Sequence, residues 1–123
     1  MTNKPQTARR RGAATEQLAA RWLEERGLTL VSANYQIKGG ELDLIMRDGD
    51  TLVFVEVKHR ATTRSGHPLE TITLQKQRRL IRAASLYLAH TAVSTPCRFD
   101  ILAITGHPPA LEFHWEKAAF DAY

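Results

Sequence analysis

The chain has 123 residues, 17 lysines and arginines against 13 aspartates and glutamates, and a formal net charge of +4. That length fits one domain able to bury a single core without disulfides, and the lone Cys97 has no partner for an internal bridge. No apolar run approaches a membrane span, no apolar N-terminal segment marks a secretory leader, and no glycine-rich phosphate loop or zinc-ligand spacing is present, which disfavours P-loop ATPases, Rossmann domains and zinc sites.

A reducing, cytoplasmic compartment without membrane contact is therefore expected, with Cys97 a small buried residue at a strand start. Residues 1–11 carry Lys4, Arg9, Arg10 and Arg11 and read as a flexible basic arm; residues 12–123 read as a single domain. The first helix is expected over 13–25, with Ala14, Leu18, Trp22 and Leu23 at helical spacing and Gly27 as terminator. Glu16 lies near the Ala19 and Leu23 side of that stripe, so it can point toward a sheet; the competing reading is a solvated helix glutamate like Glu24 and Glu25. Residues 28–37 form the first strand, and Lys38-Gly39-Gly40 the turn after it.

The two segments that follow, 41–46 and 51–58, are aliphatic and β-branched, and Asp48-Gly49 between them is a hairpin dipeptide. With those two residues as the loop, Asp43 pairs with Phe54 and Glu41 with Glu56. Asp43, Glu56 and Lys58 then share one face, with Asp43 diagonal to Glu56 at roughly 7–8 Å. A register shifted by one residue would send Asp43 to the opposite face. Ionised groups inside runs built for burial must be paired, hydrogen-bonded or bound to a metal. Two carboxylates on adjacent strands suit Mg²⁺ or Mn²⁺, which keep several waters and accept phosphate oxygens, and Lys58 is placed to hold water or neutralise phosphate. A lone Glu-x-Lys is more often a solvated surface pair. The nearly continuous apolar run 52–57 argues for a central strand instead.

Residues 59–69 lack periodicity and read as a mobile loop holding Arg60, Arg64 and His67; Arg60 shares the alternation of Lys58 and can reach a phosphate backbone. The second helix is expected over 74–89, with Gln77, Leu80, Ile81, Ala84 and Leu88 on one side and Gln75, Arg78, Arg79 and Arg82 on the other. With Lys76, this helix contains no acidic residue between Thr73 and His90, a local positive potential that attracts nucleic acid and weakens with salt. Residues 98–105 read as another strand in which Asp100 is the remaining candidate acid, with a structural role, pairing Arg98 or a lysine, as the favoured reading. His107-Pro108-Pro109 breaks the chain, and 111–115 adds an edge strand.

Asp43, the hairpin spacer and Glu56-Val57-Lys58 resemble the PD-(D/E)XK nuclease motif. Together with Glu16 and Leu18-Ala19-Ala20, the Gly40 to Ile45 strand, the helix from Lys76 to Leu88 and Arg98-Phe99-Asp100, the pattern resembles the YraN-like proteins of bacteria, relatives of archaeal Holliday junction resolvases. The resemblance implies an α/β, restriction endonuclease-like αβββαβ core, a mixed central sheet flanked by helices, with the metal at the sheet edge. It implies Asp43, Glu56 and the Val57 carbonyl as ligands of Mg²⁺ or Mn²⁺, Lys58 as the catalytic lysine, Glu16 as an additional acid and Gln75 as a residue orienting substrate or water. Leu42 stands where the motif has proline. Gln17 replaces the arginine that junction resolvases tend to carry after the helix glutamate. The expected activity is metal-dependent hydrolysis of phosphodiester bonds in DNA, branched or otherwise structured DNA included, with Arg10, Arg11, Arg60, Lys76, Arg78, Arg79 and Arg82 contacting the nucleic acid. The alternatives are a non-catalytic nucleic-acid-binding protein on the same fold and an interaction protein whose acids are paired with arginines. A four-way junction has two-fold symmetry, so a resolvase of this kind would be a homodimer.

Overall fold

The computed structural model describes residues 4–60 and 72–121, with side chains from residue 13 onward. Its elements are α1 (Lys4–Glu24), β1 (Thr29–Ile37), β2 (Gly40–Asp48), β3 (Thr51–Arg60), α2 (Leu74–Thr91), β4 (Cys97–Thr105) and β5 (Glu112–Phe120). This is the expected α/β, restriction endonuclease-like core. One sheet runs in the order β1-β2-β3-β4-β5, antiparallel at every pair except the parallel β3/β4. A parallel neighbour cannot be reached through a hairpin, and α2 lies within the crossover between β3 and β4.

Strands β2, β3 and β4 are apolar on both sides because a helix covers each face. On one face Ala19, Ala20 and Leu23 of α1 pack on Leu44, Met46, Val53, Val55, Leu102 and Ile104. On the other, Leu80, Ala83, Ala84 and Tyr87 of α2 pack on Leu42, Ile45, Leu52, Phe54 and Phe99. The α2 residues follow the i, i+3, i+4, i+7 spacing of an amphipathic helix, a stripe that includes Ala83 and Tyr87, which the sequence reading passed over. Thr73 caps the helix, its hydroxyl accepting from the Lys76 N–H at 3.1 Å. Thr73→Ala should lower stability by about 1 kcal/mol, read as a reduced urea midpoint with unchanged m-value.

Several expectations are corrected. α1 begins at Lys4, not Ala13, so the main chain read as a basic arm is helical from that residue on. Pro5 falls in the first turn, where proline is tolerated, and the arginines and alanines around Gly12 are good helix formers. Its buried stripe is Ala19, Ala20 and Leu23, while Leu18 is exposed. Cys97 is exposed rather than buried, because it opens β4 and the sheet interior on that strand starts only at Phe99. β5 continues past Trp115 to Phe120, whose ring stacks on Phe99 at 4.8 Å. The segment read as a loop lies, from residue 61 on and including Arg64 and His67, outside the described residues. No helix among the described residues is long and apolar enough to cross a membrane.

Candidate active site

The β2–β3 hairpin turns at Gly49-Asp50, with Asp48 paired to Thr51, Ile45 to Phe54 and Leu44 to Val55. Gly49 takes a φ of +61° while Asp50 stays out of the positive-φ region, as a loop with glycine at its first central position requires. The register thus differs by two residues from the one expected around Asp48-Gly49. A two-residue shift keeps every paired side chain on its face, and the last pair, Leu44 with Val55, stands immediately before Asp43 and Glu56.

The ladder stops at Leu44 and Val55 although both strands continue. At the same point the alternation in β2 slips: Leu42 and Ile45, three residues apart, both face α2. The slip lets the Asp43 carboxylate accept the Val57 N–H at 2.9 Å, a bond that replaces a ladder partner for that amide. The acids therefore gather where the two inner strands part, and not at a lateral edge of the sheet.

Asp43 and Glu56 lie close enough for the charge of one to act on the other. Burial, then the Glu56 charge beside it, pushes the Asp43 carboxyl up to about 8, against the opposing pull of the Val57 N–H. Glu56 has a side chain only 11% exposed, and its Oε2 lies 3.0 Å from Lys76 Nζ. Glu16 is three, four and seven residues before the buried Ala19, Ala20 and Leu23, so it shares their stripe. Burial, then the charges of Glu41 and Glu56, pushes its carboxyl up to about 7. Lys58 is half-buried two residues beyond Glu56, and Arg60 follows on the same alternation.

The structure thus brings Glu16, Asp43 and Glu56 into one electrostatic group with Val57 and Lys58 beside them. Gln75 is exposed in the first turn of α2, and the α2 side chain that reaches the acids is Lys76. Arg78, Arg79 and Arg82 are exposed on the outer side of that helix. Arg10 and Arg11 belong to α1, and their side chains lie outside the described ones. Sequence reasoning missed the Lys76 contact, although Lys76 is one helical turn before the buried Leu80 and so sits on the sheet side of α2.

Among the described residues no three acidic, histidine or cysteine side chains converge to enclose an ion. Two carboxylates and a main-chain carbonyl leave positions open for water and phosphate. That donor set fits a hard oxygen-seeking cation such as Mg²⁺ or Mn²⁺ and does not fit structural zinc.

Away from this cluster, Asp100 is fully buried and accepts from Arg98 at 3.0 and 3.2 Å, from Trp115 Nε1 at 3.0 Å and from the Ala118 N–H at 2.9 Å. Arg98 also reaches Asp48 at 2.9 Å. The structural role expected for Asp100 is the one it has.

A family model described as "Uncharacterised protein family UPF0102" matches residues 15–104. A UPF0102 protein of Chromohalobacter salexigens is 55% identical over 123 residues, all of both chains. A relative in Xanthomonas campestris pv. campestris is 48% identical over 118 residues, 94% of this chain and 95% of its own. One in Pseudomonas syringae pv. syringae is 43% identical over 119 residues, 94% of this chain and 97% of its own. The family match spans Glu16, Asp43, Glu56, Lys58, Lys76 and Asp100.

Proposed function

The chain belongs to the UPF0102 family, and from the acids gathered between β2 and β3 we propose that it is a Mg²⁺- or Mn²⁺-dependent phosphodiesterase acting on DNA. The observation that carries this reading is that Asp43, Glu56 and Glu16 lie near enough in a partly buried place to act on one another's charge. Like charges crowded in a partly buried place destabilise a fold. Asp100, which is wholly structural, has a guanidinium and two N–H donors around it. Beside the Asp43–Glu56 pair stand the Val57 N–H and the partly exposed Lys76 ammonium. Clustered, strongly perturbed acids with open coordination characterise functional sites.

In this reading Asp43 and Glu56 hold the cation, with the Val57 carbonyl as a third donor. The bound cation would stabilise charge on the phosphoryl oxygens and acidify water. Lys58 orients the attacking water for in-line displacement at phosphorus. Glu16, able to hold or release a proton near neutrality, is suited to move a proton to or from that water. Arg79 and Arg82 on the exposed side of α2 favour a nucleic-acid substrate, since guanidinium groups pair with phosphate oxygens. Those same arginines also support the second reading, a protein that binds nucleic acid without turnover.

Incubation with Mn²⁺ and linear, single-stranded, flap and four-way DNA tests the reading. Cleavage of at least one substrate is expected, reduced about 100-fold or more in Lys58→Ala. Salt-sensitive binding without cleavage of any substrate would replace the enzyme with the binder.

A further inference from the structure

Lys76 occupies the first turn of α2, and its Nζ lies 3.0 Å from Glu56 Oε2. The two partners are unlike in freedom. Glu56 is 11% exposed and fixed within β3, between β2 and the parallel β4, whereas the Lys76 side chain is 39% exposed on a flexible four-carbon stem. Lys76 also lines, with Arg79, Glu41, Gln36, Gly39 and Gly40, an open cleft of about 270 Å³ between α2 and the β1–β2 turn. One ammonium therefore borders two places: the carboxylate pair and a cleft in which the Arg79 guanidinium and Lys76 outnumber the one carboxylate, Glu41.

We propose that Lys76 is a displaceable counter-ion, which holds Glu56 in the absence of a divalent cation, yields that carboxylate to the cation, and turns into the α2/β1–β2 cleft to bind a nucleic-acid phosphate beside Arg79. This rests on the metal-dependent reading above. An ammonium and a divalent cation on the same carboxylate compete for its lone pairs and repel each other. Of the two, only the ammonium has an alternative seat within its own reach. Gly40 lines that seat, beside the Arg79 carbonyl and the Ala83 methyl. Metal and phosphate are thereby coupled through one side chain, and the coupling is reciprocal: each tightens the other.

Calorimetric titration of Mn²⁺ into the full chain, Lys76→Ala and Lys76→Arg, each shown folded by its thermal melt, tests the displacement. Lys76→Ala should bind Mn²⁺ about five-fold more tightly, the equivalent of one partly exposed ion pair. Lys76→Arg should bind it more weakly, because a guanidinium holds a carboxylate through two parallel bonds. Anisotropy of a short labelled duplex reads the second seat. In a Lys58→Ala background that suppresses turnover, Mn²⁺ should tighten duplex binding several-fold more when residue 76 is lysine than when it is alanine, and an equal tightening in both overturns the second seat. Unchanged Mn²⁺ affinity in both variants overturns the displacement and leaves the metal site standing. Tighter binding in Lys76→Ala with Lys76→Arg equal to wild type also overturns it, since a fixed local charge would give that result. Absence of Mn²⁺ binding in all three folded proteins removes the metal-dependent reading, and the displacement with it.

Discussion

Asp100→Ala is expected to lower unfolding free energy by about 3–5 kcal/mol, the effect of removing one partner from a buried ion pair. The carboxylate has no exposure, and its loss leaves three kinds of donor stranded. Arg98, its side chain 20% exposed, keeps only Asp48 as an acidic partner. The Trp115 indole N–H and the Ala118 N–H lose their acceptor altogether. The damage spans three strands, because Arg98 and Asp100 lie on β4, Trp115 and Ala118 on β5, and Asp48 at the end of β2. Urea denaturation followed by far-UV circular dichroism measures it. Trp115→Phe, which removes a single donor, should cost about 1 kcal/mol. A loss below about 1 kcal/mol in Asp100→Ala would mean that water replaces the carboxylate, contrary to its burial.

The contrast between Asp100 and Asp43 explains which parts of this molecule can be read from its sequence. Alternation and helical spacing placed the strands and the second helix, because Val53, Val55 and Phe54, or Leu80 and Ala84, have one way to bury their apolar groups. The resemblance built on Glu16, Asp43, Glu56-Val57-Lys58 and Arg98-Phe99-Asp100 led to the YraN-like group, and the chain belongs to UPF0102. What escaped depended on contacts between distant residues. Asp48 looked like a turn residue, yet its partner is Arg98, fifty positions along the chain. The extension of β5 to Phe120 follows from aromatic stacking on Phe99 and from the Ala118 N–H bond to Asp100, neither of which alternation reveals. The hairpin register was displaced by two because Asp-Gly and Gly-Asp both make acceptable two-residue loops. An even shift preserves the faces of the paired residues, whereas Asp43 and Glu56 lie beyond the last pair, where the alternation in β2 slips. The first helix was cut short at Ala13 because clustered cations read equally well as a solvated tail and as helix.

Asp43→Asn is expected to separate stability from function at the acid cluster. The substituted amide oxygen can still accept the Val57 N–H, so the hydrogen bond that seats residue 43 persists. The like charge does not. A carboxyl whose value rises from 3.8 unfolded to about 8 folded binds its proton more tightly in the native state. Its contribution is therefore favourable below 3.8 and is lost progressively as pH rises toward 8. Asn carries no such penalty. Wild type and variant should be similarly stable at pH 4, and the variant more stable by about 1 kcal/mol or more at pH 9, read from paired urea curves. Mn²⁺ affinity should move the opposite way. Residues that merely support a metal ligand are worth about 10–100-fold in affinity, so losing a ligand itself should cost about 100-fold or more. A variant that keeps Mn²⁺ affinity within a few-fold, or that loses stability at high pH along with wild type, would remove Asp43 from the metal site and leave its burial beside Glu56 as a feature of the hairpin alone.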